Sequence, residues 1–380
     1  MTFTDEQLLI RDTARKFAVE RLMPGAAERD RDAGFPREQL IEMAGLGLLG
    51  MLSPEDLGGS DVGHVAFALA LEEIAAGDGA VSTIVGVHNG VAQRPIVEYG
   101  TDEQKRRFVR PMATGEMIGA FALTEPHAGS DASDQRTKAV WDGNHFVLNG
   151  TKQFITSGRE ADLVIVFAAT APELGSKGIS AFIVPTDTVG YNVTAIEKKL
   201  GQRASDTAQI TFNDMRLTPD LLLGEIGQGY RIALANLEGG RIGIAAQATG
   251  MARAAYEYAL AYAKERVAFG KRIIEHQAVA FRLADMATRI EAARLMYLNA
   301  ARLRDAGISC LKEASMAKLF ASEMAERVCS EAIQTLGGYG YVEDFPVARI
   351  YRDVRVCQIY EGTSDVQRMV ISRAIEGEQP

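Results

Sequence analysis

The sequence predicts an α+β protein that is mainly helical, with a helical domain, a β-domain and a second helical domain in chain order. Residues 1–118 are rich in Ala, Leu, Glu and Arg, which favour helices. Residues 119–222 contain short runs of β-branched and aromatic residues, which are typical of strands. In residues 223–380, apolar side chains recur at helical spacing over long stretches. These two changes of pattern define the three predicted domains.

The first helix of the N-terminal domain is predicted to begin at Thr4. The Thr4 hydroxyl can accept a hydrogen bond from the N–H of Gln7, and the Gln7 side chain can accept one from the N–H of Thr4, which is a capping box. Phe3 and Leu8 are spaced to form the hydrophobic staple that accompanies it. Turn signals between the following helices occur at residues 24–25, 58–59 and 77–79.

The middle domain contains a β-hairpin signal over residues 138–148, where Asp142-Gly143 separates two alternating runs. Further strand-like runs predict a small β-barrel or sandwich, and they cover residues 163–168, 180–184 and 208–212. The C-terminal domain is predicted to be a helical bundle of four-helix type. Its long amphipathic helices are predicted over about residues 229–265, 275–305 and 310–335.

Composition and charge limit the possible functions. A chain of 380 residues is long for one core, so two or three packed units are expected. The net charge of −9 argues against nucleic acid and anionic membranes as partners. No apolar run approaches the roughly 20 residues that span a bilayer. The scattered Cys310, Cys329 and Cys357 form no CxxC or Cys/His cluster, so neither a disulfide framework nor a metal site is predicted.

The simplest predicted location is the bacterial cytoplasm, where the three cysteines would be reduced thiols. The N-terminus has the pattern of a helix start and not of a signal peptide. An organelle matrix is the alternative, because a removed transit peptide would leave no trace.

Residues 359–365 read Ile-Tyr-Glu-Gly-Thr-Ser-Asp and combine features of a catalytic site. Glu361 is a lone carboxylate after two apolar residues, which can raise its pKa and suit it to act as a general base. Gly362 lets a ligand approach the backbone. The small polar residues that follow open a helix, whose free N–H groups suit an oxygen-rich ligand. From this segment alone, an acidic helix cap is an equal alternative.

Five segments resemble the acyl-CoA dehydrogenase family, in the order and spacing of that family and over essentially the whole chain. Residues 360–363 resemble the Tyr-Glu-Gly-Thr run that carries the family's catalytic base. Residues 121–131 resemble its first flavin-binding segment, Leu-Thr-Glu-Pro-x-Ala-Gly-Ser-Asp. The other segments are residues 154–156, where the family usually has Trp-Ile-Thr; residues 266–270 with His276-Gln277; and residues 334–340.

The resemblance implies an FAD-dependent acyl-CoA dehydrogenase of short- to medium-chain type, with the flavin between the β-domain and the C-terminal bundle. Glu361 would remove the α-proton of an acyl-CoA thioester, and the β-hydride would go to flavin N5. The N–H of Glu361 and a flavin ribityl hydroxyl would polarise the thioester carbonyl. The family also implies a homotetramer, built as a dimer of dimers, and an electron-transferring flavoprotein as electron acceptor.

The resemblance also assigns residues to the two ligands. Thr124 and Thr156 would donate hydrogen bonds to the flavin, Phe154 would pack on its ring in place of Trp, and Arg266 would bind the pyrophosphate of a flavin in a neighbouring subunit. The implied cofactor contacts are Phe121, Leu123, Thr124, Gly129, Ser130, Phe154, Ile155, Thr156, Arg266, Phe269, Gln277, Gln334, Gly337, Gly338, Thr363 and Asp365. The implied substrate contacts are Ser130, Tyr230, Glu238, Arg241 and Gly362.

Relatives of isovaleryl and long-chain type carry the base on another helix, at the position that Gly240 occupies here. Glu238 lies two residues earlier, about 200° away around a helix, so Glu361 is the predicted base. For Glu238 and Arg241, an i, i+3 ion pair on the helix surface is the alternative to a role in the substrate site.

Other functions stay open at this point. An acyl-CoA oxidase would use O₂ as acceptor, and the modest chain length favours the dehydrogenase. A decarboxylating glutaryl-type enzyme would need an Arg for the distal carboxylate, and residues 81–88 contain none. A relative acting on an acyl-carrier-protein substrate and a non-catalytic flavoprotein are further alternatives, and the presence of Glu361 argues against the second. Acyl chain length and branching depend on pocket volume.

Overall fold

The computed structural model describes residues 2–377 and has the predicted order of helices, strands and helices. The predicted capping box is confirmed, because Thr4 and Gln7 exchange hydrogen bonds of 3.1 and 3.2 Å. The N-terminal helices are α1 (Asp5–Phe17), α2 (Ala26–Asp32), α3 (Arg37–Gly45), α4 (Gly63–Gly77), α5 (Gly79–Val87), α6 (Arg94–Tyr99), α7 (Asp102–Gln104) and α8 (Arg110–Ala113). Shorter π-helical turns occur at Ala18–Leu22, His88–Gln93 and Lys105–Val109.

The middle strands form one mixed sheet. They are β1 (Gly119–Ala122), β2 (Lys138–Trp141), β3 (Phe146–Thr156), β4 (Leu163–Ala169), β5 (Ile179–Pro185), β6 (Tyr191–Ile196), β7 (Thr207–Leu217) and β8 (Leu222–Leu223). Their order is β6-β7-β3-β2-β4-β5-β8, with β1 parallel to β4. The predicted Asp142-Gly143 hairpin is confirmed by the antiparallel pairing of β2 with β3. Every residue of β4 is buried, which explains its uninterrupted apolar sequence.

The C-terminal helices confirm the predicted ranges to within two residues. The elements are α9 (Gly229–Glu265), the short hairpin of β9 (Val267–Ala268) and β10 (Lys271–Arg272), α10 (Gln277–Asp305), α11 (Leu311–Leu336), α12 (Pro346–Val354) and α13 (Ser364–Glu376). Alanine-rich faces let α9 and α11 pack closely. The buried alanines include Ala245, Ala248, Ala252, Ala255 and Ala259 on α9 and Ala314, Ala317, Ala321 and Ala325 on α11.

A buried charged cluster joins the N-terminal and C-terminal helices. Arg253 of α9 forms ion pairs of 3.0 Å with Glu72 and 2.6 Å with Glu73, both on α4. The hydroxyl of Tyr297 on α10 donates a hydrogen bond to Glu72. Because buried charges are costly without partners, this cluster holds α4 against α9 and α10.

The predicted domain boundaries at residues 118 and 222 stay predictions. The first strand begins at Gly119, and the last strand of the sheet ends at Leu223. Residues 378–380 of the predicted C-terminal domain lie outside the described residues. Across residues 2–377, no helix combines the length and apolarity that crossing a membrane requires.

Candidate active site

A cavity lies between the helical domains and the sheet, and Glu361 lines it. One wall comes from α4, α5 and α6, a second from the ends of β1 and β3, and a third from α9 and the segment before α13. All three predicted domains therefore contribute to one site, as is common for ligand pockets. In the part of the chain that the structure describes, no group of three or more His, Cys, Asp or Glu could hold a metal ion.

The carboxylate of Glu361 has the environment of a general base. Its Oε2 is enclosed and has no hydrogen-bond partner among residues 2–377. Burial raises the pKa of Glu361 to about 7, and the nearby positive charges of Lys318 and Arg241 partly oppose that increase. A carboxylate with a pKa near neutrality and a free oxygen at a cavity can accept a proton at physiological pH. The structure thus places the predicted base where it could act.

The two alternative positions for the base, residues 240 and 361, lie next to each other in the structure. A Cβ atom at Gly240 would lie 2.0 Å from Oε2 of Glu361. Real Cβ atoms do not approach other atoms so closely, so any side chain at residue 240 would displace the Glu361 carboxylate. Gly240 on α9 therefore leaves the space that the side chain of Glu361 occupies.

The alternative of a surface ion pair between Glu238 and Arg241 is excluded, because each residue has other partners. Glu238 pairs with Arg304 at 3.4 Å and accepts a hydrogen bond of 3.3 Å from the N–H of Cys310. Arg241 is buried and donates to the hydroxyl of Ser315 at 3.4 Å. Less than one turn of α9 separates them, but they face different neighbours, and only Arg241 lies beside Glu361.

Three predicted flavin contacts line the same cavity as Glu361, namely Phe121, Phe154 and Thr156. Phe154 sits at an irregularity of β3, where the register with β7 shifts and its φ is +59°. This irregularity turns the ring outward, and the residue is 62% exposed. An exposed aromatic ring that faces a cavity suits packing on a planar ligand.

A buried lysine anchors the first predicted flavin segment. Lys152 Nζ donates hydrogen bonds of 3.1 Å to the carbonyl of Leu123 and 2.8 Å to Oε1 of Glu125. A buried ammonium without such partners would be costly, so this pairing fixes the backbone on both sides of Thr124. Of the remaining predicted contacts here, Leu123 and Ile155 are buried, Thr124 is partly buried, and Gly129 and Ser130 are exposed.

A second group of predicted flavin contacts lies in a separate surface pocket, which Arg266, Gln334, Gly337 and Gly338 line. The Arg266 guanidinium lies 5.8 Å from the ring centroid of Tyr339 and forms no ion pair with a carboxylate of residues 2–377. Its charge is therefore available for a phosphate. Near this pocket, Phe269 is 96% exposed and Gln277 begins α10.

The other predicted contacts sit around the start of α13 and on α9. Thr363 caps α13, because its hydroxyl accepts a hydrogen bond of 3.3 Å from the N–H of Val366. Asp365 is exposed and pairs with Arg368 at 3.3 Å. Gly362 has a φ of +88°, which favours glycine. Tyr230 is partly buried against the core of the β-domain.

Sequence reasoning missed three groups at this site, the buried Lys318, the polar side chain of Gln247 and the guanidinium of Arg94. Lys318 interrupts the alanine stripe of α11, and a lysine at a core position is the signal that could have identified it. Arg94 lines the cavity from α6, but its charge is compensated by Glu98 at 2.5 Å. It therefore offers no free charge for a distal carboxylate on the substrate.

Comparison with known proteins identifies the family of this chain. Models of the N-terminal, middle and C-terminal domains of acyl-CoA dehydrogenase match residues 4–116, 120–215 and 227–376. The mitochondrial short-chain specific acyl-CoA dehydrogenase of Bos taurus is 47% identical, covering 96% of this chain and 88% of that protein. Butyryl-CoA dehydrogenase from Megasphaera elsdenii superimposes with a TM-score of 0.97 at 41% identity, over 99% of both chains. A chain of the structure described as the electron transferring flavoprotein of Acidaminococcus fermentans has a TM-score of 0.98 at 42% identity, over 100% of both chains.

The chain belongs to the acyl-CoA dehydrogenase family, whose members are FAD-dependent oxidoreductases. The predicted family, fold class, cofactor and FAD-dependent acyl-CoA dehydrogenation are therefore confirmed, and the oxidase alternative is not favoured. The residues fit the cofactor, because Phe154 offers an exposed aromatic face and Arg266 an uncompensated positive charge. The assignment of individual site residues stays a prediction.

Replacing Arg266 with Ala is expected to weaken FAD retention. If its guanidinium compensates the pyrophosphate, removing it should cost roughly 1.5–3 kcal/mol of binding free energy. Flavin content after gel filtration and the melting temperature with and without added FAD measure this loss. The control is Arg272→Ala, because Arg272 lies on the short hairpin that follows Arg266 and, unlike Arg266, is paired with a carboxylate, that of Glu275 at 2.7 Å. Equal flavin retention in both variants would contradict the assignment.

Proposed function

We propose that the protein desaturates a short-chain acyl-CoA between the α- and β-carbons, with Glu361 as the base. The observation that supports this proposal most directly is that Glu361 lines the cavity and that its enclosed Oε2 has no hydrogen-bond partner among residues 2–377. Because its pKa is raised to about 7, the carboxylate can both take up the α-proton and release it after turnover.

The preference for a short acyl chain rests on the polar inner wall of the cavity. Gln247 Nε2 donates hydrogen bonds of 3.1 Å to the carbonyl of Gly79 and 2.8 Å to the Ser82 hydroxyl, and it also contacts Thr83. Gln247 Oε1 accepts a hydrogen bond of 2.6 Å from the hydroxyl of Tyr360. Displacing this satisfied network with a longer apolar chain would leave buried polar groups unpaired. The short-chain and butyryl-CoA enzymes among the relatives support the same substrate class.

The residues that line the cavity have different proposed tasks in this reaction. FAD, when bound, supplies the acceptor for the β-hydride. Glu361 takes the α-proton, and its backbone N–H is the proposed donor to the thioester oxygen, where negative charge develops. Phe121, Phe154 and Thr156 orient the cofactor from the sheet side of the cavity. The surrounding apolar walls exclude water, which strengthens these electrostatic interactions.

The proposed partners are a second copy of the chain and an electron-transferring flavoprotein. The pocket of Arg266 and Gln334 is separate from the cavity of Glu361 within one chain, so a homotetramer would let one subunit complete the flavin site of another. The match to a chain from the Acidaminococcus fermentans structure supports an electron-transferring flavoprotein as acceptor. The proposed location is the bacterial cytoplasm.

A panel of substrates from butyryl-CoA to dodecanoyl-CoA, with branched acids included, tests the proposed function. With an artificial acceptor and without oxygen, kcat/KM is expected to be highest for butyryl-CoA and to fall with chain length. The variant Gln247→Ala, which removes the polar wall, should move this optimum towards longer chains. A preference of the wild type for octanoyl-CoA or longer substrates would contradict the proposal. Peroxide formation at the turnover rate in air would indicate an oxidase instead.

A further inference from the structure

A buried ammonium lies beneath the proposed base and has no part in the mechanism above. Lys318 on α11 has no exposed surface, although lysine is among the residues that are least often buried. Its Nζ donates one hydrogen bond of 2.7 Å, to the carbonyl of Gly362. Among residues 2–377 it forms no ion pair with a carboxylate. A buried ammonium without a carboxylate partner costs free energy of folding, so a lysine at this position indicates a role other than packing.

The carbonyl that Lys318 holds belongs to a strained turn. Glu361 has a φ of +51° and Gly362 a φ of +88°, so two successive residues lie in the left-handed region. For a non-glycine residue such as Glu361 this conformation persists only where its surroundings enforce it. The side chain of Gln367 on α13 provides the second constraint, with hydrogen bonds of 3.2 Å to the carbonyl of Glu361 and 2.9 Å to that of Gly362.

We propose that Lys318 is a positioning residue for the dehydrogenation: its buried ammonium fixes the turn that aims the Glu361 carboxylate and supplies the positive charge beside it. This inference rests on the proposed role of Glu361. Lys318 and Gln367 hold the turn in different ways. Gln367 contributes hydrogen bonds only, whereas Lys318 contributes a hydrogen bond and a positive charge.

The ionisable groups around Glu361 are few, and each comes from a different element. Arg241 approaches from α9 and Lys318 from α11, and both lower the pKa of Glu361 against the larger effect of burial. Lys318 itself also faces Cys357, in the segment after α12, and Glu323, further along α11. Burial lowers the pKa of Lys318 to about 8, so the ammonium form prevails at neutral pH. With Lys318 uncharged, Arg241 would be the one cation among residues 2–377 that still lowers the pKa of Glu361.

The variant Lys318→Met tests this inference, because methionine retains an unbranched side chain and removes the charge. The measurement is the rate of flavin reduction by butyryl-CoA as a function of pH, in a rapid-mixing experiment without oxygen. Removing the positive charge raises the pKa of Glu361, so the rising limb of the rate profile should move up by about one pH unit or more. Lys318→Arg retains the positive charge, so it should shift the rising limb of the rate profile by less than Lys318→Met does. The matched control is Arg327→Met on the exposed face of α11, which should leave the limb in place.

The outcomes separate this inference from the proposed function. A Lys318→Met enzyme that reduces its flavin more slowly but with an unmoved pH limb would make Lys318 a structural residue only and overturn the inference. If Lys318→Met does not retain flavin, the same pH profile of flavin reduction is measured with Lys318→Gln. This variant keeps a hydrogen-bond donor without the charge. Glu361→Gln is measured in parallel. Undiminished flavin reduction in that variant would remove Glu361 as the base, whatever the result at Lys318.

Discussion

Replacing Glu361 with Gln is expected to abolish flavin reduction by acyl-CoA while leaving the fold and the flavin content unchanged. The carboxamide has almost the same shape as the carboxylate, but it cannot accept the α-proton. Loss of a general base typically lowers the rate by about 10²–10⁴-fold. The Oε2 atom has no hydrogen-bond partner among residues 2–377, so the substitution breaks no hydrogen bond at that oxygen. Stability should therefore change little.

The measurement is the rate of flavin bleaching after anaerobic mixing with butyryl-CoA. In the wild type this rate should rise as the pH increases through about 7, because the pKa of Glu361 is raised to about 7 and the ionised form is the base. The comparison variant is Glu238→Gln, since Glu238 is a carboxylate of α9 that pairs with Arg304. Its loss of rate should be far smaller. The opposite ranking of the two variants would transfer the role of base to Glu238.

Replacing Gly240 with Ala is expected to cause the second largest loss of activity. The new Cβ would lie 2.0 Å from Oε2 and 2.8 Å from Cδ of Glu361, so the carboxylate must move. The end of a glutamate side chain is flexible, and the protein should therefore fold and bind FAD. Moving a reacting group by about 1 Å can cost about 10²-fold in rate, which is the loss expected here.

Gly239→Ala is the matched control for this prediction, because it adds the same methyl group one residue earlier on α9. Among the described residues, a Cβ there would meet only Nε2 of His64, at 3.7 Å, which is ordinary van der Waals contact. The two variants are compared by kcat with butyryl-CoA, by flavin content and by melting temperature. Equal and small losses in both would mean that the Glu361 carboxylate does not occupy the space beside Gly240 during the reaction.

The local elements of this protein could be predicted from the sequence because their signals are local. The capping box at Thr4 and the Asp142-Gly143 hairpin depend on residues within a few positions of one another. The three long C-terminal helices follow from a periodicity that each segment carries by itself. The order of these elements, together with five motifs at family spacing, was enough to predict the fold class, the family and FAD.

Only the tertiary structure decided which of these residues meet, because the contacts join segments far apart in the chain. For Glu238 the sequence left open a local ion pair with Arg241 three residues away, but Glu238 pairs with Arg304 on α10. Lys318 lies 43 residues before Glu361, and the charge it contributes beside the base depends on the packing of α11 against the turn before α13. The sequence by itself determined the elements and the family, and it predicted Glu361 as the base. Packing determined the raised pKa of that base, because burial is a property of the assembled core.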